Sequence, residues 1–148
     1  VEATPRDLRP LLELERACFP PRQAYGPADY RSLLASESAV NLVWSEEGRA
    51  LGFVAAIHEP RQRAGHVVTL HVHPRARGRG VGRALLDECE RRLAAWGAQR
   101  VLLEVGVANA AAIALYESRG YARLGRIEGY YEGEDVSDAF EYAKPLSR

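Results

Sequence analysis

The stretch Arg77-Gly78-Arg79-Gly80-Val81-Gly82-Arg83 constrains this chain more than any other. An apolar run, Val67 to Val72, precedes it, and an amphipathic run, Ala84-Leu85-Leu86-Asp87-Glu88-Cys89-Glu90, follows. Strand, glycine-rich loop and helix in that order present bare backbone N–H groups at a helix N-terminus. Those groups and the helix dipole attract an anion, typically a phosphate. Three glycines let the backbone come close to such a ligand, and Arg75, Arg77, Arg79 and Arg83 add positive charge around it.

A polyanion surface is a different matter. Lys plus Arg number 20 and Asp plus Glu number 20, so the net charge is zero. Nucleic-acid binders carry a basic excess, so the arginine cluster reads as a site and no nucleic-acid partner is expected. The 148 residues suffice for one domain with a real core, and a single domain over 1–148 is expected. Cys18 and Cys89 lie in predicted helices and read as packing residues in a reducing compartment. No run of 18 apolar residues and no signal-peptide pattern is present, so no membrane partner and a cytoplasmic location are expected. The start at Val1, in a chain without methionine, reads as the loss of a residue or a short leading segment.

Val1 to Ala3 reads as the remnant of a strand. Thr4 is an expected N-cap, with Pro5 at the first helical position and Asp7 three residues beyond the cap. Leu8, Leu11, Leu12, Glu15 and Cys18 then follow helical spacing until Pro20-Pro21. Pro27 opens a second short helix over Ala28 to Ser36. Asn41–Ser45 and Ala50–His58 read as strands of a hairpin turning at Glu46–Arg49. A strand from His66 to His73 leads into the glycine loop, and a helix runs from Val81 to Trp96. Val101–Val105 reads as a strand buried on both faces. A helix over Ala110–Ser118 follows, and strands at Tyr121–Ile127 and Ala139–Ala143 flank a polar, tyrosine-rich loop. The pattern predicts an α+β (mixed α/β) domain with helices on both faces of a sheet.

Two common nucleotide motifs fail here. A Walker A loop needs Gly-Lys-Ser or Gly-Lys-Thr, which the chain lacks. A dinucleotide fingerprint started at Gly78 meets Arg83 where glycine belongs, and one started at Gly80 meets Leu85. Arg77-Gly78-Arg79-Gly80-Val81-Gly82 instead resembles the Arg/Gln-x-x-Gly-x-Gly/Ala loop of the GCN5-related N-acetyltransferases (GNAT). Leu70-His71-Val72-His73-Pro74 resembles the family strand that pairs with the pantetheine arm. Asn109 to Ser118 followed by Gly120-Tyr121 resembles its Asn-x-x-Ala-x-x-Leu-Tyr-x-x-x-Gly-Phe segment. Three further features are similar to the ribosomal-protein alanine N-acetyltransferase (RimI) type and its N-terminal acetyltransferase relatives. They are Leu103-Glu104-Val105 before Asn109, Ile127-Glu128-Gly129-Tyr130-Tyr131 before Asp138-Ala139, and Ala17-Cys18-Phe19-Pro20-Pro21.

The resemblance implies a mixed, mostly antiparallel sheet that splays to admit acetyl-CoA. It implies that Arg77, Gly78, Arg79, Gly80, Val81, Gly82 and Arg83 hold the pyrophosphate. Leu70, His71 and Val72 would line the pantetheine, with the Val72 N–H polarising the thioester carbonyl. Asn109 would contact the cofactor arm, although its residue type at a helix start equally suits an N-cap.

Acetyl transfer to an amine needs a neutral amine, a polarised carbonyl, a protonated leaving thiolate and aligned substrates. Glu104 is a carboxylate in an apolar strand, costly unless paired or placed in a site. It reads either as ion-paired to an arginine or, by the resemblance, as the general base. Tyr116 reads either as a half-buried helix aromatic or, by the resemblance, as the general acid. Tyr25, Tyr130 and Tyr131 fall in loops, where aromatics serve as packed lids. In N-terminal acetyltransferases the corresponding loops gate the acceptor. His66, His71 and His73 lack the cysteine or carboxylate spacing of a zinc site, and no metal is expected.

The acceptor implied is a protein or peptide N-terminus. An α-amine, with a reference pKa of about 7.7–8.0, is substantially neutral near pH 7, whereas a lysine, near ~10.4, is neutral roughly one time in a thousand. A small amine is the alternative acceptor, and a non-catalytic acyl-CoA-binding module is the alternative outside enzymes. Gly106, Val107 and Ala108 depart from the Arg-x-Ser expected between the RimI-type glutamate and asparagine, and Glu132, Glu134 and Asp135 make the last loop acidic.

Overall fold

Alternating apolar residues build the sheet that organises the molecule. The computed structural model describes residues 1–19, 24–130 and 138–146. Among the described residues six strands form one sheet in the order β1-β2-β3-β4-β6-β5. They are β1 (Ala39–Glu46), β2 (Arg49–Glu59), β3 (Ala64–Val72), β4 (Arg100–Gly106), β5 (Ala122–Ile127) and β6 (Ala139–Pro145). β1 and β2 turn through Glu47 and Gly48, both at positive φ (52° and 77°). That mirror-image turn matches the twist of the flanking strands. Residues 1–3 run beside β1, with Ala3 N–H donating to the Asn41 carbonyl at 2.9 Å and Val43 N–H to the Val1 carbonyl at 2.8 Å.

Among the described residues four α-helices cover the two faces: α1 (Leu8–Cys18), α2 (Pro27–Ala35), α3 (Val81–Ala95) and α4 (Ala110–Ser118). The first predicted helix begins as a separate 3-10 turn, Pro5–Asp7, where the Asp7 carboxylate accepts from the Thr4 N–H at 2.8 Å. On one face Leu85, Leu86, Cys89 and Leu93 of α3 pack with Val54, Ala56, Val101, Leu103 and Val105 of the sheet. On the other, Leu11 and Leu14 of α1 and Tyr30 of α2 pack on Val43, Phe53 and Ala55. Each buried leucine contributes about 1.5–3 kcal/mol to such a core. The Arg119 guanidinium grips Asp87 in two hydrogen bonds of 3.1 and 2.9 Å and ties the end of α4 to α3.

β4 differs from the doubly buried strand expected. Val101, Leu103 and Val105 are buried, but Leu102 and Glu104 on the opposite face are only partly covered. The reason is the sheet's topology. β3 and β4 run parallel and pair only through Ala64↔Arg100, Gly65↔Val101 and His66↔Leu102, then diverge. β4 continues against β6 from Arg100↔Pro145 to Gly106↔Ala139. The sheet therefore splays on the C-terminal side of His66.

A bulge in β3 sets what faces this splay. Ala55 pairs with Thr69 and Ala56 with Val67, leaving Val68 as an extra residue. An extra residue shifts the alternation by one place. His66, Thr69 and His71 consequently lie on the α1/α2 face, although 66 and 71 differ by an odd number.

Candidate active site

The cradle at the start of α3 is built by backbone conformation. Gly78 and Gly80 sit at φ of 80° and 79°, the left-handed region that side chains resist. Gly80 caps α3, its carbonyl accepting from Ala84 N–H at 3.0 Å. The N–H groups of the first helical residues, Val81, Gly82 and Arg83, point out of the helix end. A cleft of about 390 Å3 opens there. Its walls include Leu70, His71, Val72, Arg77 and Arg83 on one side and Asn109 and Tyr116 on the other. Arg79 departs from the expected cluster: its guanidinium is held by Glu46 on the β1–β2 hairpin at 2.6 Å and is not part of the cleft wall.

The edge of β3 supplies main-chain groups to the same cleft. His73 N–H donates to the Leu51 carbonyl at 2.8 Å, which makes Gly52↔Val72 a non-hydrogen-bonded pair in the antiparallel ladder. By alternation Val54↔Leu70 is another, and Phe53↔His71 between them is hydrogen-bonded. Leu70 and Val72 thus turn their N–H and C=O groups away from β2, toward the gap left by β4. The Val72 carbonyl accepts from Arg77 Nε at 3.1 Å and from the Cys18 thiol at 3.4 Å. His71 contributes differently: its main chain belongs to the ladder with β2, and its side chain is buried toward α1 and α2.

These features fit a nucleotide-bearing thioester cofactor. The glycine cradle and helix N-terminus suit a pyrophosphate, with Arg77 and Arg83 beside it. The unpaired strand edge at Leu70 and Val72 suits an amide-bearing arm.

Glu104 projects from β4 where the strands part, its side chain 13% exposed. Among the described residues its partners are a histidine and a tyrosine. His66 Nε2 lies 2.7 Å from Glu104 Oε1, and the Tyr130 hydroxyl donates to the same oxygen at 3.0 Å. The imidazole holds the Glu104 carboxyl below the usual carboxylate range, with Tyr130 adding to the effect. In return the carboxylate raises His66 above the ordinary imidazole value. Sequence reading considered His66 only as a metal ligand and missed this pairing, because the residue on the neighbouring strand that meets Glu104 is set by register.

Tyr116 is nearly buried, lines the cleft and lies edge-on to Tyr121 with centroids 5.6 Å apart. Asn109 accepts from the Ala112 N–H at 3.2 Å, so it caps α4 while lining the cleft. Tyr25 is half-buried, its ring edge-on to Tyr30 at 6.4 Å. Tyr130 reaches Glu104, whereas Tyr131 lies outside the described residues. The structure thus brings the cradle, Leu70–Val72, Asn109 and Tyr116 around one cleft, with Glu104 and Tyr130 at the splay.

Residues 8–121 match the profile of the acetyltransferase (GNAT) family, and this chain belongs to that family. An N-alpha-acetyltransferase of Saccharolobus solfataricus is 36% identical over 85 residues, covering 57% of this chain and 50% of that protein. The match to that relative therefore spans about half its length. The [ribosomal protein bS18]-alanine N-acetyltransferase of Escherichia coli is 34% identical over 112 residues, 75% of this chain and 74% of that one. The crystal structure of the ribosomal-protein-S18-alanine N-acetyltransferase from Escherichia coli superposes with a TM-score of 0.88 at 27% identity, covering 100% of this chain and 93% of that one.

Proposed function

We propose that this protein transfers an acetyl group from acetyl-CoA to the α-amine of a peptide or protein N-terminus. The observation that carries this reading is Glu104: a carboxylate at the splay, hydrogen-bonded by His66 and Tyr130. Acetyl-CoA, when bound, supplies the acetyl thioester. Arg77, Arg83 and the N–H groups of Val81 and Gly82 hold its pyrophosphate, and Leu70 and Val72 align its arm.

Glu104 takes a proton from the acceptor nitrogen, directly or through one water. The Val72 N–H donates to the carbonyl oxygen under attack. Tyr116 gives a proton to the departing sulfur, which a phenol with a reference pKa of about 10 can do. A carboxylate held low is ionised at neutral pH but is a modest base. An α-amine asks far less of it than a lysine does, since its own pKa is lower by roughly 2–3 units. This match of base to substrate, and the activities of the two N-terminal acetyltransferases above, favour the α-amine over other acceptors.

The roles are tested by steady-state turnover of Glu104→Gln and Tyr116→Phe. Each variant is expected to lose about 100-fold or more in kcat, the usual worth of a positioned acid or base, while binding acetyl-CoA as the wild type does. Wild-type kcat in both variants contradicts the assignments.

A further inference from the structure

Glu15 is the most deeply buried carboxylate among the described residues, 1% exposed on α1. Two donors share it. The Tyr30 hydroxyl donates to Oε1 at 2.5 Å, and the Tyr25 backbone N–H donates to Oε2 at 3.0 Å. Among the described residues no lysine or arginine pairs with it. The nearest basic group among the described residues is His71, whose Nε2 lies 3.5 Å from Oε1 and 3.5 Å from the Tyr30 hydroxyl. That imidazole is kept neutral, because burial pushes it down to about 4. Its other nitrogen lies 3.0 Å from Thr69 Oγ1, and Phe19 and Phe53 flank the ring. Burial raises the Glu15 carboxyl above its ordinary range. An apolar residue at this place in α1 would pack without any of these costs.

What the carboxylate joins gives it a use. Tyr30 begins the buried face of α2. Tyr25 stands in the segment that leads into α2. His71 lies between Leu70 and Val72, the two residues whose main chain faces the splay. We propose that Glu15 is a positioning residue for acceptor binding, fixing residues 24–26 and α2 to α1 through the Tyr25 N–H and the Tyr30 hydroxyl. The proposal rests on the proposed N-terminal acetyl transfer and on the family resemblance that gives the Tyr25 loop to the acceptor. A flexible segment would have to be ordered by each incoming acceptor, and the Glu15 bonds order it beforehand.

Glu15→Gln is the test. A glutamine keeps the shape but presents one acceptor oxygen, so it cannot serve both donors. Its expected effect is an acceptor-peptide KM raised about tenfold or more, as for loss of one hydrogen bond to a charged group. The acetyl-CoA KM stays within about twofold of wild type on the same reasoning, since the cradle on α3 is untouched. In a Tyr25→Ala background Glu15→Gln adds little further, because the two act through one segment. Tyr30→Phe keeps the apolar packing, removes one donor and raises the acceptor KM in the same direction, which preserves the test should Glu15→Gln not fold. Unchanged acceptor KM in both variants overturns the proposal, as do independent, multiplying effects of Glu15→Gln and Tyr25→Ala.

Amide hydrogen exchange at Tyr25 provides a readout that needs no turnover. Protection in the wild type and its loss in Glu15→Gln support the link, and equal exchange in the two proteins overturns it. A wild type that turns over no peptide contradicts the α-amine reading instead, and the exchange result then still decides whether Glu15 holds the segment.

Discussion

His66 and Glu104 face one another where β3 and β4 part, and their pairing makes the site's pH response predictable. As His66 loses its proton, at a pH above its ordinary value of about 6.5, the field that lowers Glu104 disappears and the carboxylate becomes a better base. Turnover at subsaturating acceptor is therefore expected to rise with pH through the elevated His66 pKa. Deprotonation of the acceptor amine adds its own rise near a pH of about 7.7–8.0, so in His66→Gln only the His66 part of the limb is expected to vanish, and an unchanged profile contradicts the coupling. The stability sign follows the same pair. The part owed to His66 is full below about pH 6.5 and fades as pH climbs through its raised folded value. The part owed to Glu104 is full above about pH 4.3 and fades as pH falls through its lowered folded value. The Tm gap between wild type and His66→Gln is thus widest between those limits.

At the scale of elements, the loop and helix that form the cradle are the most demanding pieces. Gly80→Val places a β-branched residue at a φ of 79°, which costs about 1–2 kcal/mol if the loop keeps its shape. If the loop relaxes, the N–H groups of α3 lose their aim. Relaxation relieves that strain, so the acetyl-CoA Kd, read by isothermal titration, is expected to rise about tenfold or more, and an unchanged Kd contradicts the cradle. The seating of α3 is equally tight at Gly65, where an added Cβ would stand 2.5 Å from Leu93 Cδ1. Gly65→Ala is expected to lower unfolding stability by about 1–3 kcal/mol through overpacking. Adding Leu93→Ala, itself worth about 2–5 kcal/mol, costs less than the sum, and urea unfolding measures the difference. Full additivity contradicts the contact.

The elements legible in the sequence are those whose signal is local. Helix α4 matches its predicted span, and the cradle lies where the glycines placed it, because periodicity, caps and positive-φ residues act within a few positions. The β3 bulge left no such signal. One extra residue, Val68, puts His66 and His71 on one face, and the pairing of His66 with Leu102 of β4 brings its ring to Glu104. The turn of Arg79 toward Glu46 is likewise a long-range charge contact. Glu15 lay in plain view among Leu8, Leu11, Leu12 and Cys18, a carboxylate on an apolar stripe, and the stripe alone did not say what it would bind.

In the whole molecule, two helical layers grip one sheet and the sheet opens between β3 and β4. α3 and α4 border the cleft at the opening with the cradle, Asn109 and Tyr116. Cys18 at the end of α1 reaches the same cleft, and Tyr130 meets Glu104 where the strands part. On the proposed function acetyl-CoA would occupy the cleft and the acceptor the splay at Glu104, the alignment that direct transfer requires. The most direct measurement is mass spectrometry of peptides incubated with the protein and acetyl-CoA, each peptide offered with a free and with a chemically blocked N-terminus and each containing a lysine. Acetylation confined to the free α-amine, and lost in Glu104→Gln, is the predicted result. Acetyl-lysine on the blocked peptides, or no peptide product while a small amine is turned over, contradicts the account.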